Sequence, residues 1–435
     1  MGAMFVPSPR TVAIVDGSRI PFLRAGGGYA RLIAYDLARM AIHGMMERAA
    51  LDATALDAVI LGSVVQNPAT SNVARDAALA AGVSERTPAS TVTLACISAN
   101  RAIADATALI AMGQADTVMA GGVEMLGDVP IGFTREVRRR FFETRRYRSV
   151  LDWRRFFAGL KLSELLPRPP AIAEFSTGET MGRSADRLAA AFGVTREEQD
   201  AYALRSHEGA ARARREGWLG AEITPVAAPP RFEATVHDDG IREDTSLERL
   251  AALKPAFVKP YGTVTAGNSS PLTDGAAVTL LMDEERARAE GRRVRARVRD
   301  FIFVAQDPGE ELLLGPAYAV PRLLDRNHLR WADLDVIEMH EAFAGQVLAV
   351  LAALASDAFA RDRLGRETRV ADVELERINP WGGSVSLGHP FGATGARLVN
   401  TAVHRLEREG GHLALVTACA AGGQGHAMLL ERADA

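Results

Sequence analysis

The chain has 435 residues, 48% hydrophobic and 24% charged, with a formal net charge of −3. The near-neutral charge argues against a nucleic-acid-binding protein, and two cysteines are too few for a disulfide-stapled secreted scaffold. The longest apolar runs, such as residues 347–355, fall far short of the ~20 residues of a membrane span. The N-terminus shows no signal-peptide pattern, so we expect a cytoplasmic protein.

Short β-branched runs alternate with helix-length amphipathic stretches along the chain, which indicates an α/β fold. Thr195 followed by Glu198 forms a capping-box pattern at the start of one helix. The predicted elements, in chain order, are strands at 10–16 and 57–62, a helix at 101–112, a strand at 115–122, a helix at 195–217 and a loop at 225–244.

The two ends of the chain resemble each other, which suggests an internal duplication. Residues 56–60 and 334–338 both begin Leu-Asp before an apolar strand. Residues 91–104 and 384–397 both suggest a strand, a tight turn and a helix. Residues 116–122 and 412–423 both suggest a strand that runs into glycines. Equivalent turns of the two halves would then face one shared site.

Residues 135–168 differ from the rest of the chain, because they carry eleven basic and four acidic side chains, a net charge of +7. Aromatic and aliphatic residues are interleaved with the charges. A basic amphipathic helix of this kind can bind a membrane surface or a partner protein. The alternative is a solvated helix that packs on the main body.

Cys96 follows a strand-like run and precedes a predicted helix. A helix N-terminus lowers the pKa of a thiol and offers N–H donors to an oxyanion, so Cys96 is a candidate nucleophile. The alternative is a buried apolar cysteine. Cys419 also lies in a turn, before glycines that allow close approach of a ligand. A disulfide between the two is improbable in an intracellular chain.

Two histidines complete the candidate site. His389 lies between glycines at an exposed strand-to-helix turn, and His340 ends a predicted strand, where a satisfied polar residue is the alternative. The histidines and cysteines lack metal-ligand spacing, so we predict no metal. Four such groups at strand ends would suit acyl transfer coupled to carbon–carbon bond cleavage.

Five blocks of sequence resemble the thiolase family, and the resemblance covers nearly the whole chain. The blocks are Ala-Cys-Ile-Ser-Ala-Asn at 95–100, Gly-Gly-Val-Glu at 121–124, residues 261–270 with 274–277, His-Glu-Ala-Phe-Ala at 340–344, and Gly-His-Pro-Phe-Gly-Ala-Thr-Gly at 388–395 with Cys-Ala-Ala-Gly-Gly-Gln-Gly at 419–425.

The resemblance implies a role for each candidate. Cys96 would be acylated, His389 would take its proton, and Cys419 would exchange the α-proton of acetyl-CoA. Backbone N–H groups of Cys96 and Ala421 would form one oxyanion site. Most thiolases have an asparagine where this chain has His340. The resemblance implies that His340 would serve the other oxyanion site in its place.

Further residues and partners follow from the same resemblance. Met181 and Ser270 match positions that line the CoA or substrate channel, and CoA is a substrate, so no cofactor is expected. The His340 motif, the basic insertion and residues 174–182 are similar to the β subunit of the fatty-acid-oxidation trifunctional complex and its bacterial counterpart. That branch works with an α subunit that carries hydratase and dehydrogenase activities.

The resemblance implies two duplicated mixed-sheet halves in helix–sheet–helix layers, with an inserted loop domain and a homodimeric or larger assembly. The expected domains are 5–130 completed by about 257–283, a loop domain at 131–256 with the basic insertion, and 284–435. The expected activity is thiolysis of 3-ketoacyl-CoA in β-oxidation. The alternatives are a biosynthetic acetoacetyl-CoA thiolase and a non-catalytic CoA- or lipid-binding scaffold.

Overall fold

A computed structural model describes residues 9–168, 170 and 173–433, so residues 5–8, 169, 171–172 and 434–435 of the expected domains lie outside the described residues. Apolar, β-branched runs form the strands. The strands are β1 (Val12–Arg19), β2 (Leu23–Arg24), β3 (Ala58–Gly62), β4 (Ala89–Val92), β5 (Thr117–Glu124), β6 (Val226–Ala227), β7 (Ala234–Thr235), β8 (Thr273–Asp283), β9 (Ala296–Ala305), β10 (Val336–Met339), β11 (Leu413–Ala420) and β12 (Gln424–Arg432).

Amphipathic stretches form the helices that pack on these strands. The helices are α1 (Ala34–Arg48), α2 (Val73–Ala80), α3 (Ser98–Ala111), α4 (Arg135–Glu143), α5 (Trp153–Phe157), α6 (Met181–Ala191), α7 (Arg196–Arg215), α8 (Leu247–Ala251), α9 (Glu284–Ala289), α10 (Gly315–Arg326), α11 (Ala344–Leu354), α12 (Asp357–Phe359), α13 (Ser384–Leu387) and α14 (Thr394–Glu409).

The same strand order occurs twice in the main sheet, which has ten strands within the described residues. The first half has the order β4-β3-β5-β8-β1, and the second has β10-β11-β12-β9. Parallel strands are followed by antiparallel ones in each half: β4, β3 and β5 are parallel in the first, and β10 and β11 are parallel in the second. An isolated parallel bridge between Ile337 and Ile378 takes the place of β4 in the second half. The halves join where β1 pairs with β9.

Helices form three layers around the two halves of the sheet. Helices α1 and α2 cover the outer face of the first half, and α10 and α11 cover that of the second. Helices α3 and α14 pack against each other and against both halves. This arrangement confirms the duplicated mixed-sheet α/β fold. It also brings the strand ends and the helix N-termini of the two halves together.

Several local predictions hold, and some are wrong. Helix α7 begins after Thr195, whose hydroxyl accepts the N–H of Glu198 in the expected capping box. The basic segment is not one helix, because α4 and α5 are separated by short 3-10 turns. The predicted loop at 225–244 contains the two short strands β6 and β7. The predicted strand at the start of 384–397 is the helical turn α13.

In the part of the chain that the structure describes, no single helix has the length and hydropathy of a membrane span. Within that described part, α11 and residues 357–364 reach such a length and hydropathy only when they are taken together. The two are bent by 69° at the break between them.

Candidate active site

Cys96 lies in a tight turn between β4 and α3 that two hydrogen bonds of Ser98 hold in place. Ala95 has a φ of +46°, a left-handed conformation that costs free energy for a residue with a side chain. The Ser98 hydroxyl donates to the carbonyl of Ala95 at 2.7 Å and accepts the N–H of Leu94 at 2.8 Å. The turn leaves Cys96 partly exposed, which suits a nucleophile that must meet a substrate.

Cys419 and His340 are brought together by neighbouring parallel strands. Cys419 is the penultimate residue of β11, and His340 directly follows β10. Met339 pairs with Thr417, and the backbone N–H of His340 donates to the Thr417 carbonyl at 2.9 Å. Because both strands point the same way, the two side chains lie at one edge of the sheet.

His389 reaches the same edge from a loop, not from a strand end as the sequence suggested. The loop connects α13 to α14, and the backbone N–H of His389 donates to the Pro271 carbonyl at 3.1 Å. Gly388 has a φ of +107°, which favours glycine, and a Cβ there would lie 2.4 Å from the Thr273 side chain. His389 is also buried rather than exposed.

The four candidates meet in one place. The sulfur of Cys96 and one ring nitrogen of each of His340 and His389 all lie within 4.8 Å of one another. The two imidazole ring centroids are 4.2 Å apart. Cys419 is close enough to Cys96 that a charge on one sulfur raises the pKa of the other, and both cysteines are free thiols.

The electrostatics of Cys96 differ from the sequence expectation of a lowered pKa. Although Cys96 keeps some exposed surface, the protein around its thiol removes enough water that burial raises the pKa of the thiol to about 12, and burial outweighs the backbone N–H groups that stabilise the thiolate. Cys96 also precedes α3 by two residues, so it lies outside the first turn, where the helix dipole acts most strongly. A thiolate therefore has to be formed by proton transfer to a neighbouring base.

Both imidazoles are held neutral, which makes one of them available as that base. Burial, followed by the charge of Arg397, lowers the pKa of His389 to about 3. Burial, the neighbouring His389 and Arg397 lower the pKa of His340 well below its usual value. A neutral imidazole has one free lone pair that can accept a proton.

The backbone donors expected for an oxyanion site also face this point. The N–H groups of Ala421 and of Cys96 itself lower the pKa of the Cys96 thiol, so both stabilise a negative charge on its sulfur. Alanine at 421 keeps the donor that glycine would supply, because the donor belongs to the backbone. The two N–H groups are therefore aimed at the sulfur that would carry an acyl group.

The two expected channel residues lie on flanking elements. The Ser270 hydroxyl donates to the carbonyl of Ala342 at 3.0 Å, within the motif that begins at His340. Ser270 thus lies between the loops that carry the two histidines. Met181 is the first residue of α6 and packs against the hydrophobic cluster that includes Cys419.

Cys96, His340 and His389 are also residue types that can bind a metal ion such as zinc. The prediction of no metal rested on the spacing of these residues along the chain. The fold brings them together regardless of spacing, so that argument no longer supports the prediction.

Sequence reasoning gave no role to two buried glutamates that organise the site. The Glu341 carboxylate accepts hydrogen bonds from Tyr202, Ser206, Asn379 and the backbone of Val385. These bonds join the His340 loop to α7 and α13. The only signal for Glu341 in the sequence was its place next to His340 in the motif.

Glu124 is the second of these glutamates, and it joins the loops on the other side of the site. Its carboxylate accepts the N–H groups of Val64, Val65 and Gly392. Burial raises the pKa of Glu124 to about 7 against the effect of these donors. Glu124 thereby ties the end of β5 to the loop that carries His389.

Comparisons with known proteins agree with this geometry. Residues 12–285 match the model of the thiolase N-terminal domain, and residues 292–432 match that of the thiolase C-terminal domain. The chain is 52% identical over 425 residues to the mitochondrial trifunctional enzyme subunit beta of Bos taurus, covering 98% of this chain and 89% of that protein.

Two further proteins extend the comparison. A 3-ketoacyl-CoA thiolase of Yersinia pestis (strain Pestoides F) is 43% identical over 420 residues, covering 97% of this chain and 96% of that protein. The crystal structure of the Bacillus anthracis acetyl-CoA acetyltransferase superposes with a TM-score of 0.85 at 32% identity, covering 98% of this chain and 99% of that one. Both thiolase domain models thus match, and the chain belongs to the thiolase family of acyltransferases.

Proposed function

We propose that the protein cleaves 3-ketoacyl-CoA with free CoA, yielding acetyl-CoA and an acyl-CoA shortened by two carbons. The observation that carries this proposal is the meeting of Cys96, His340 and His389 within 4.8 Å, with the second thiol of Cys419 beside them. One thiol can hold an acyl group while the other handles a proton. CoA enters as a substrate, and no cofactor has a role in the proposed steps.

The first half-reaction begins with proton transfer from Cys96 to His389. The thiolate attacks the 3-keto carbon, and the developing oxyanion accepts hydrogen bonds from imidazole N–H groups. The bond between the α- and β-carbons breaks, and its electron pair forms the acetyl-CoA enolate. Cys419 protonates that enolate, and the N–H groups of Cys96 and Ala421 stabilise its thioester oxygen.

The second half-reaction returns the enzyme to its starting state. His389 first passes the proton it holds to the Cys419 thiolate, and it then takes the proton of the CoA thiol, whose sulfur attacks the acyl group on Cys96. The bond to the Cys96 sulfur breaks, the shortened acyl-CoA leaves, and the Cys96 thiolate regains its proton from His389. Because one product departs before CoA enters, the kinetics should be ping-pong.

Turnover rates across substrate lengths test the degradative assignment. Thiolysis is measured with 3-ketoacyl-CoA substrates from C4 to C16, and condensation of two acetyl-CoA molecules is measured in parallel. A preference for medium and long chains supports the proposal. Activity confined to the C4 substrate, with efficient condensation, would instead support a biosynthetic enzyme like the acetyl-CoA acetyltransferase to which the fold is similar. Absence of any turnover would favour a binding scaffold.

We propose that the basic segment, residues 135–168, docks an α subunit with hydratase and dehydrogenase activities. The segment has a net charge of +7 and exposes apolar side chains, among them Val150 at 87% and Leu162 at 81%. Exposed apolar residues on a charged surface are typical of an interaction site. The homologous bovine protein is named as a subunit of a trifunctional enzyme, which supports a partner of this kind.

A double variant tests this docking surface without removing the segment. Val150→Ser with Leu162→Ser should abolish co-purification with the α subunit of the same organism, whereas Leu79→Ser on α2 serves as a matched exposed control. Binding to vesicles containing anionic phospholipid is measured in parallel. Loss of vesicle binding alone would assign the segment to a membrane, and no change in either would leave a solvated surface. Sedimentation of the isolated chain is a separate experiment, and it tests the homodimer that the family resemblance implies.

A further inference from the structure

The two active-site imidazoles share an arrangement in which one nitrogen of each ring lies at a hydroxyl and the other has no hydrogen-bond partner among the described residues. In both rings Nδ1 lies at a side-chain hydroxyl, 3.0 Å from Ser384 Oγ for His340 and 2.7 Å from Thr394 Oγ1 for His389. In both rings Nε2 is buried and has no hydrogen-bond partner among the described residues. Which nitrogen carries the proton therefore depends on the hydroxyl.

The surroundings of Ser384 determine the direction of its hydrogen bond to His340. Nη2 of Arg397 donates to Ser384 Oγ at 3.2 Å, and an arginine can only donate. Within the described part of the chain, the only acceptor in reach of the Ser384 hydroxyl proton is Nδ1 of His340. The reverse direction would leave a buried hydroxyl proton without an acceptor. Ser384 therefore donates to Nδ1, and the proton of the neutral ring is on Nε2.

The surroundings of Thr394 determine the opposite direction for His389. The Thr394 hydroxyl lies 3.0 Å from the carbonyl oxygen of Pro390, which can only accept. When the hydroxyl donates to that carbonyl, its oxygen accepts a proton from Nδ1 of His389, and two hydrogen bonds are made. When it donates to Nδ1 instead, only one is made. The larger number of bonds places the His389 proton on Nδ1.

We propose that Arg397 and Ser384 fix His340 as the tautomer with its proton on Nε2, whereas Thr394 fixes His389 as the tautomer with its proton on Nδ1. The inference rests on the proposed function only for its catalytic meaning. Ser384, Arg397 and Thr394 are positioning residues, because they act on the substrate through the two rings.

Opposite tautomers give two adjacent rings different chemical tasks. His389 presents a lone pair at Nε2, and it can accept the Cys96 proton. His340 presents an N–H at Nε2, and it can donate to the substrate oxygen from the start. After the proton has moved from Cys96 to His389, both rings have an N–H at Nε2. The same transfer that creates the nucleophile thus completes a pair of donors for the oxyanion.

Neutron diffraction from crystals of the full chain tests the assignment directly, and it does not depend on turnover. The expected result is deuterium on Nε2 of His340 and on Nδ1 of His389. The same tautomer in both rings, or deuterium on Nδ1 of His340, would overturn the proposal. A protein that lacked thiolase activity but showed the expected deuterium positions would refute the proposed function and leave this inference standing.

Kinetics provide a second test through a double-mutant cycle. Ser384→Ala should lower kcat by about 10- to 100-fold with little change in KM, as expected for a partner that orients a catalytic group. In a His340→Asn background the same change should cost less than about threefold, because an amide has no tautomers to choose between. Equal losses in both backgrounds would make Ser384 merely structural and refute its role.

A neighbouring serine supplies the control. Ser386 is buried in the same helical turn, and its hydroxyl donates to the Gly383 carbonyl rather than to a histidine. Ser386→Ala should have the same effect on kcat in both backgrounds. A dependence on His340 as large as that of Ser384→Ala would show that the cycle reports a disturbed helix, and it would count against the proposal.

Discussion

Replacing Glu341 by glutamine should destabilise the protein strongly, because four donors surround its carboxylate. Tyr202 and Asn379 donate to Oε1 at 2.9 and 2.8 Å, and Ser206 and the Val385 N–H donate to Oε2 at 2.8 and 3.1 Å. A glutamine has one oxygen and one NH₂ group. Whichever way the amide is turned, its NH₂ group faces one N–H group, which can only donate, and one hydroxyl, which has to turn round to accept.

The loss can be worked out from these contacts. One hydrogen bond from an N–H to a charged group disappears, which costs about 1.5–3 kcal/mol, and a second is exchanged for a weaker bond to a neutral amide. The expected destabilisation is therefore at least about 1.5–3 kcal/mol, which is a large share of the ~5–15 kcal/mol that stabilises a typical protein. The His340 loop and α13 are joined through Glu341, so catalytic activity should fall as well.

Urea unfolding followed by tryptophan fluorescence measures this effect, with Glu285→Gln on α9 as an exposed control of the same chemistry. The Glu341→Gln midpoint should lie well below both the wild-type and the control midpoints. If the two variants unfold at the same urea concentration, the four hydrogen bonds do not hold these elements together and the reasoning is wrong.

Three other outcomes are expected. Gly388→Ala should lower the unfolding midpoint and the activity, because φ is +107° and the added methyl would lie 2.4 Å from a carbon of Thr273. Gly220→Ala is the control and should lower neither, because the added methyl there has no atom within 4 Å. Side-chain hydrogen bonds, of which that from Arg297 has the largest effect, lower the pKa of Glu284 to about 2. The stability lost in Glu284→Gln should therefore be largest above pH 4.5 and shrink towards pH 2. A difference that stays constant with pH would contradict this. Cys419→Ala should stop solvent exchange of the acetyl-CoA methyl protons while some acylation persists, and unchanged exchange would refute its role.

Local sequence patterns predicted β1, β3, β5, α3 and α7 because those elements depend on nearby residues. The exception at α13 shows where such reasoning fails. Ser384 to Leu387 alternate polar and apolar side chains, which favours a strand. The Val385 N–H instead donates to Glu341, which lies 44 residues earlier and favours a helical turn at this point. That contact exists only in the folded protein.

The pKa of Cys96 could not be predicted from the sequence for a similar reason. The sequence showed a cysteine before a helix but not how deeply the surrounding residues bury it. Burial has the larger effect, and it raises the pKa. The motifs nevertheless identified Cys96, His340, His389 and Cys419 as one group, because the resemblance covers both halves of the duplicated fold.

The hydroxyl partners of the histidines lie between these two cases. Ser384 and Thr394 are near the motif in sequence, yet their bond directions depend on Arg397 and on a backbone carbonyl. Only the arrangement of donors and acceptors in three dimensions distinguishes the two tautomers.

The central claim is that Cys96 carries the acyl group, and peptide mass spectrometry tests it most directly. The protein is mixed with a 3-ketoacyl-CoA in the absence of free CoA, quenched in acid and digested. We expect an acyl group two carbons shorter than the substrate on the Cys96 peptide, and none in Cys96→Ala. An acyl group on another residue, or one trapped by Cys96→Ala, would contradict the account.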